Sequence, residues 1–171
     1  MIRQAIMNDL ERITAIYNQA IESRQAAGDT EVFTTAQRKH WFASYSDERT
    51  PIFVYVDCGI VVGYCYLSKY RPGKQALESA AEISYFIDYK HHRKGIGSKL
   101  VQHTIRVAKE LGYRNLFAIL LSCNSGSITF LVKHGFELWG TLPDIACIDG
   151  KTYSHYYYGL TIVGGEVIEY R

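Results

Sequence analysis

The 171-residue sequence predicts a mixed α/β fold. Short apolar runs of strand length alternate with segments whose apolar residues recur at helical spacing. Gly, Pro, Asn and Asp punctuate the boundaries between them. A pair of glycines, Gly95 and Gly97, joins a strand-like run to a helix-like run. The order reads β-α-α-β-β-β-α-β-α-β-β. No repeat, low-complexity segment or interdomain linker interrupts it, so a single domain over residues 1–171 is expected.

Each element has a local reason. Ile2 to Ala5 is a short strand. Asn8 or Asp9 is placed to cap a helix carrying Leu10, Ile13, Ile16, Tyr17 and Ala20 on one side. The polar stretch Arg24 to Thr30, with Gly28, reads as a loop. Thr34-Thr35-Ala36-Gln37 has the form of a capping box for a second helix through Trp41 and Phe42. Pro51 precedes a strand from Ile52 to Val56. Asp57-Cys58-Gly59 turns the chain into a hairpin partner, Ile60 to Tyr70. After the loop Arg71 to Gln75 comes the strand Glu82 to Asp88, then the glycine pair. The helix that follows aligns Ile96, Leu100, Thr104, Val107, Ala108 and Leu111 and stops at Gly112. Asn115 to Leu121 is an apolar strand. Asn124 to Ser127 leads into a helix ending near His134-Gly135. Phe136 to Thr141 and Tyr153 to Val163 close the chain as strands, with Tyr156-Tyr157-Tyr158 in the last.

Composition narrows the function. A content of 47% hydrophobic and 21% charged residues is ordinary for a globular protein. A net charge of +2 gives no basic surface for nucleic acid. No apolar run reaches the length of a membrane span, and the first residues lack an apolar signal core. The expected location is cytoplasmic. The four cysteines, Cys58, Cys65, Cys123 and Cys147, have no zinc spacing and read as reduced, mostly packed thiols. No metal site is expected.

The chemistry concentrates at His91-His92-Arg93-Lys94-Gly95-Ile96-Gly97-Ser98. A helix start presents unpaired N–H donors and partial positive charge, which suit phosphate. Arg93, Lys94 and Lys99 add full charges, so the junction is suited to a polyphosphate. A P-loop string is missing, and Leu100 stands where a dinucleotide fingerprint needs its third Gly. A plain strand–turn–helix corner would use glycine for the same backbone reasons. The spacing that fits is Q/R-x-x-G-x-G/A, with His92 at its first position.

That spacing resembles the pyrophosphate loop of the GNAT acetyltransferases, and the resemblance extends along the chain. Asn124-Ser125-Gly126-Ser127, followed by Gly135-Phe136, is similar to the family's N-x-x-A/S…G-F/Y segment. Ile2-Arg3, Asp9-Leu10, Ile16-Tyr17-Asn18, Thr30-Glu31, Trp41-Phe42 and Ala81-Glu82-Ile83-Ser84-Tyr85-Phe86-Ile87 resemble the phosphinothricin acetyltransferase-like branch. The resemblance implies a mostly antiparallel sheet of about seven strands with helices on both faces, acetyl-CoA as co-substrate, and a homodimer.

It also implies roles. The backbone of Tyr85, Phe86 and Ile87 would meet the pantetheine arm. Arg93, Lys94, Gly95, Ile96, Gly97 and Ser98 would cradle the pyrophosphate. Asn124 would bond the pantetheine amides, although its position also suits an N-cap. Glu82 matches the branch's catalytic carboxylate. The chemistry asks for such a group, because an amine is mostly ammonium at neutral pH and must lose a proton before attack. A backbone N–H near Phe86 would stabilise the oxyanion. Arg71 is a candidate for an anionic group on the acceptor, or else a solvated loop charge.

The chain departs from the family at several positions. Leu131 stands where many members place a general-acid Tyr. A CoA thiol, with a pKa of roughly 8.5 like free cysteine, leaves as thiolate without much help. Ala80 replaces a frequent Thr. The loop after Arg71-Pro72 lacks the usual Ala-Tyr, and Lys151 to His155 lack a Trp-x-Asp. The expected activity is acetyl transfer to the amine of a small amino acid or analogue of the phosphinothricin, methionine sulfoximine or methionine sulfone type. A protein N-terminus or polyamine acceptor, or CoA binding without turnover, are the alternatives.

Overall fold

The computed structural model describes residues 1–45 and 48–162. The elements are β1 (Ile2–Gln4), α1 (Leu10–Glu22), α2 (Thr35–Ala43), β2 (Ile52–Asp57), β3 (Ile60–Lys69) and β4 (Ala80–Ile87), followed by α3 (Ile96–Glu110), β5 (Asn115–Leu121), α4 (Ser125–Lys133), β6 (Glu137–Ile148) and β7 (Lys151–Thr161). They form a seven-stranded sheet in the order β1-β2-β3-β4-β5-β7-β6. Every neighbouring pair is antiparallel except β4 and β5, which are parallel and joined through α3, as a parallel pair requires.

Strand alternation divides the core between the two faces. Cys65, Leu67, Ala81 and Ile83 pack with Ile96, Leu100 and Val101 of α3 and Leu131 of α4. Ile52, Val54 and Tyr64 face the other way and meet Ile13 and Ile16 of α1, with Trp41 and Phe42 of α2 beside them. The α1 and α3 faces are the ones their helical spacing anticipates. Leu100 and Ile13 are fully buried, and truncating either to Ala removes about 2–5 kcal/mol by the usual cavity relation.

The local signals hold where they concern caps and tight turns. Thr34 Oγ1 accepts from the Gln37 N–H at 3.3 Å, and Gln37 Oε1 accepts from the Thr34 N–H at 2.7 Å. Cys58 and Gly59 both take positive φ, 46° and 79°, as a two-residue hairpin turn demands. Gly112 follows α3 at φ 81°.

Several expectations need correction. Asp9 does not cap α1 through its side chain. It accepts from the Ile6 N–H at 2.8 Å and forms a two-point pair with Arg3 at 2.6 and 2.8 Å, which ties β1 to the helix start. β6 runs on to Ile148 and β7 begins at Lys151, because Asp149-Gly150 is a tight turn with φ of 50° and 76°. The expected end of the last strand, Val163, lies outside the described residues. The cysteines are not mostly packed. Cys65 is buried, but Cys58 sits in the exposed turn and Cys147 on the exposed edge strand β6. Among the described residues, no helix is long and apolar enough to cross a membrane.

Gly63 fits tightly where β3 faces Ile87. A Cβ there would lie 2.7 Å from Ile87 Cδ1, 3.2 Å from Leu100 Cδ1 and 3.3 Å from the Phe86 carbonyl oxygen. Gly63→Ala should therefore destabilise the fold by about 1–3 kcal/mol through overpacking, measured by urea unfolding. An unchanged midpoint would mean that Ile87 yields freely.

Candidate active site

The site begins with a parting of strands. β4 pairs with β3 along Ala81–Ile87 but with β5 only along Ala80–Glu82. Beyond Glu82 the two parallel strands separate, while β5 stays paired to β7 along its whole length. An antiparallel ladder directs alternate residues' backbone groups to opposite sides. Tyr70 N–H donates to the Ala80 carbonyl, and Asp88 N–H donates to the Val62 carbonyl. By alternation, Glu82, Ser84 and Phe86 are paired to β3, whereas Ile83, Tyr85 and Ile87 aim N–H and C=O into the gap. This corrects the expectation for Phe86, whose backbone faces Tyr64 instead.

An open cleft of about 940 Å³ occupies this gap. Its wall includes Tyr85, Phe86 and Ile87 from β4, Arg93, Gly95, Ile96, Gly97 and Ser98 from the glycine loop, and Asn124 before α4. Lys94 is exposed and does not line it. Lys99 does not line it either, because helix α3 turns by about 100° per residue and carries its ammonium to the Tyr55 ring, 5.8 Å away. Lys133 of α4 joins Arg93 on the wall.

The glycine loop is held from several sides. Asp88 is buried and caps the turn that precedes the loop, accepting from Lys90 N–H at 3.0 Å. Arg12 of α1 donates to the same carboxylate at 2.7 Å. Burial alone would raise the Asp88 carboxyl, but the Arg12 and Lys90 bonds and the nearby charges of Arg12 and His91 outweigh it and hold it below the usual carboxylate value. His92 takes no place as a phosphate ligand here: its Nε2 is 3.0 Å from the Ile87 carbonyl oxygen. Gly95 needs its freedom, at φ 76°. Gly97 is helical and leaves space instead, with the nearest atom to a built Cβ being Phe130 Cε2 at 3.4 Å. Ser98 Oγ meets His134 Nε2 at 3.0 Å, which fixes the first turn of α3 to the end of α4. Burial and Lys133 lower the His134 pKa, favouring a neutral ring at that contact.

Asn124 takes the capping role its position suggested. Its Oδ1 accepts from Ser127 N–H at 3.1 Å, capping α4. The residue also lines the cleft.

Glu82 stands at the last residue of β4 still paired to β5, opposite Phe117. It lies three residues, or about 10 Å along the strand, before Tyr85, and it is not on the cleft wall itself. Its side chain shares the face of Ser68 and Ser84, near Tyr45 and Tyr66, whose hydroxyls its charge makes harder to ionise. Burial raises the Glu82 pKa, and the Ser84 hydroxyl, 3.4 Å from Oε1, partly offsets this. A carboxylate so placed is a stronger base than one in water. Arg71 is exposed and lines a separate small pocket with Arg49, Lys69 and Glu78, so it does not meet the cleft. Its guanidinium lies 5.6 Å from the Tyr70 ring.

Sequence reasoning missed Ser23, Gln25 and Ala26 after α1, and Lys133, all on the cleft wall. Lys133 had a signal, since it is the last cation of the helix capped by Asn124. The three residues after α1 had none beyond being a polar loop.

Known proteins share this architecture. The acetyltransferase (GNAT) domain profile matches residues 2–156. YwnH of Bacillus subtilis is 38% identical over 97% of this chain and 98% of its own length. The L-methionine sulfoximine/L-methionine sulfone acetyltransferase of Pseudomonas aeruginosa is 32% identical over 84% of each chain. A crystal structure of a phosphinothricin acetyltransferase from Sinorhizobium meliloti in complex with acetyl-CoA superposes with a TM-score of 0.88 at 25% identity, covering 94% of this chain and 87% of that one. A profile that spans nearly the whole chain, together with relatives of the same length and fold, makes this protein a member of the GNAT acetyltransferase family and an acetyltransferase.

Proposed function

We propose that the chain transfers the acetyl group of acetyl-CoA to the amine of a small amino acid or analogue, of the phosphinothricin, methionine sulfoximine or methionine sulfone type. The observation that carries this reading is Glu82, a half-buried carboxylate with raised basicity at the point where β4 and β5 part. The named substrates of the Pseudomonas aeruginosa relative support the acceptor class. Acetyl-CoA in the Sinorhizobium meliloti structure supports the donor.

In this reading the pantetheine arm adds to the open edge of β4, meeting backbone groups of Tyr85 and Ile87 and the amide of Asn124. The N-terminal turn of α3, with Arg93 and Lys133, neutralises the pyrophosphate. Glu82 takes a proton from the acceptor ammonium, directly or through water. The neutral amine then attacks the thioester carbon. The oxyanion is stabilised by an N–H on the open edge, for which Tyr85 replaces Phe86 as the candidate. The C–S bond breaks, the sulfur leaves as thiolate, and the nitrogen gives up its second proton to water or to that thiolate as the amide forms. Leu131 is buried and donates nothing to it. Arg71 is the candidate for an anionic group of the acceptor. The chain acts as a single domain over residues 1–171, in the cytoplasm. Exposed Leu138, Leu142 and Ile145 on edge strand β6 support a homodimer.

Glu82→Gln should lower turnover by about a hundred- to ten-thousand-fold near pH 7 while acetyl-CoA affinity stays near wild type. Wild-type turnover should fall as pH drops through the raised Glu82 value, since only the ionised form accepts a proton. The deficit of the variant should shrink at high pH, where the amine is already neutral. Turnover within a fewfold of wild type, with chemistry rate-limiting, would make Glu82 structural.

Gly97→Ala should leave acetyl-CoA affinity nearly unchanged, because the space around Gly97 admits a methyl group. Gly97→Glu should weaken it by about tenfold or more, or about 1.4 kcal/mol, by placing an anion at the phosphate cradle. Equal affinities by calorimetry would remove the glycine loop from the binding site.

Arg71→Ala should raise the Michaelis constant for an amino-acid acceptor and leave that for acetyl-CoA unchanged, with Arg71→Lys only partly restoring it. An unaltered acceptor constant would exclude Arg71.

A further inference from the structure

A row of residues crosses three strands on the face that carries Glu82. Glu82 on β4 is in register with Phe117 on β5, and Phe117 is in register with Gly159 on β7. Residues in register point to the same face. Gly159 therefore offers the missing side-chain position in this row. Trp139 fills it. The β6–β7 register slips between Leu138 and Gly140, making Trp139 the extra residue of a bulge. Bulges re-aim a side chain, and this one folds the indole back across its neighbour strand. A Cβ built on Gly159 would overlap the Trp139 ring at Cδ2 and Cε3. Trp139 also meets Phe117 edge-on, with centroids 5.4 Å apart at 84°, and Phe117 stacks on Tyr70 at 4.6 Å and 23°. The outcome is an aromatic surface beginning beside the Glu82 carboxylate. Trp139 is still 43% exposed, so the surface is open to a ligand.

We propose that Trp139, seated on Gly159 by the β6 bulge, is a specificity-determining residue against which the acceptor's side chain packs. This rests on the reading of the chain as an amino-acid acetyltransferase. Strands lie about 4.8 Å apart, so Gly159 is about 10 Å from Glu82 across the row. An acceptor whose amine reaches Glu82 and whose chain runs along this row reaches the indole only with an extended side chain. The class selected is α-amino acids with an unbranched chain ending in a methyl-bearing or otherwise polarisable group. C–H bonds next to an electron-withdrawing sulfur or phosphorus centre suit an aromatic face. Glycine-sized acceptors would not reach it. Gly159 is a positioning residue that acts through Trp139.

Two measurements test this. The chain has two tryptophans, so Trp41→Phe leaves Trp139 as the only one. In that variant, with CoA bound, indole emission should change saturably on titration with L-methionine sulfone and not with glycine. In steady-state kinetics, Trp139→Ala should raise the Michaelis constant for L-methionine sulfone by about tenfold or more, against little change for acetyl-CoA. Trp139→Phe should recover part of the loss, and Gly159→Ala should shift the constant in the same direction as Trp139→Ala. An unchanged Michaelis constant in Trp139→Ala, or silent emission while the wild type acetylates L-methionine sulfone, overturns the inference and leaves the amino-acid reading standing. A Trp139→Ala variant that changes sedimentation and loses activity equally on every acceptor also overturns it, making Trp139 a subunit contact. A wild type that acetylates no amino acid sinks both, and is told apart by that result alone.

Discussion

The parallel pairing of β4 and β5 ends after only three residues, and the rest of the site depends on that early end. Unpaired N–H and C=O groups on a strand edge are expensive if dry, so a gap in mid-sheet has to be either wet or filled by a ligand with its own donors and acceptors. The gap cannot close on itself. β4 is committed to β3 along seven residues, and β5 is committed to β7 along its full length. Leu100 and Val101 of α3 and Leu131 of α4 are buried in one core under the same strands, which fixes both helices on that face. An extended ligand with two amides, such as a pantetheine arm, has the hydrogen-bonding capacity of a short strand and matches what such an open edge requires.

The glycine loop is a second consequence of this geometry. The chain leaves β4 at the mouth of the gap, makes the turn capped by Asp88 and then starts α3, so the helix's unpaired N–H donors face the same opening. The loop's position does not rest on glycine alone. Asp88 is fastened to Arg12, and Gln19 Oε1 accepts from Tyr89 N–H at 2.9 Å, so α1 on one face of the sheet steadies a turn that serves the other. Gly95 supplies an otherwise strained conformation and Gly97 supplies room. The two glycines look alike in the sequence and have different physical duties.

Glu82 belongs to the opposite face of the sheet. Odd-numbered residues of β4 point toward α3, while Glu82, Ser84 and Phe86 point toward α1 and α2. One strand thus has an open backbone edge on the cleft and, on its α1 side, the side chain of Glu82. A carboxylate placed on that face, at the last fully paired position, is held firmly by the ladder while standing next to the gap. Its burial among Tyr45, Tyr66 and Ser84 keeps it weakly solvated and therefore basic.

The amino-acid sequence by itself determined the element order, the capping box at Thr34, the turns at Cys58-Gly59 and Gly112, the strand–glycine–helix junction at Gly95 and Gly97, and the cap that Asn124 supplies to α4. These are properties of neighbours in the chain, where spacing alone carries the physics. Tertiary structure decided the rest. Phe86 looked as available as Tyr85 until the β3 ladder showed which backbone groups were already spent. Lys99 looked like a phosphate ligand until the helix phase turned it to Tyr55, and Lys133, thirty-four residues later, took the place on the wall. Arg71 shortly precedes β4 in sequence, yet it opens into a different pocket. Trp139 gave no signal at all, because its direction depends on a one-residue slip between β6 and β7. Register, helix phase and bulges convert sequence distance into direction, and each is settled by which partner strand or helix buries the apolar face, a choice made by residues far away along the chain.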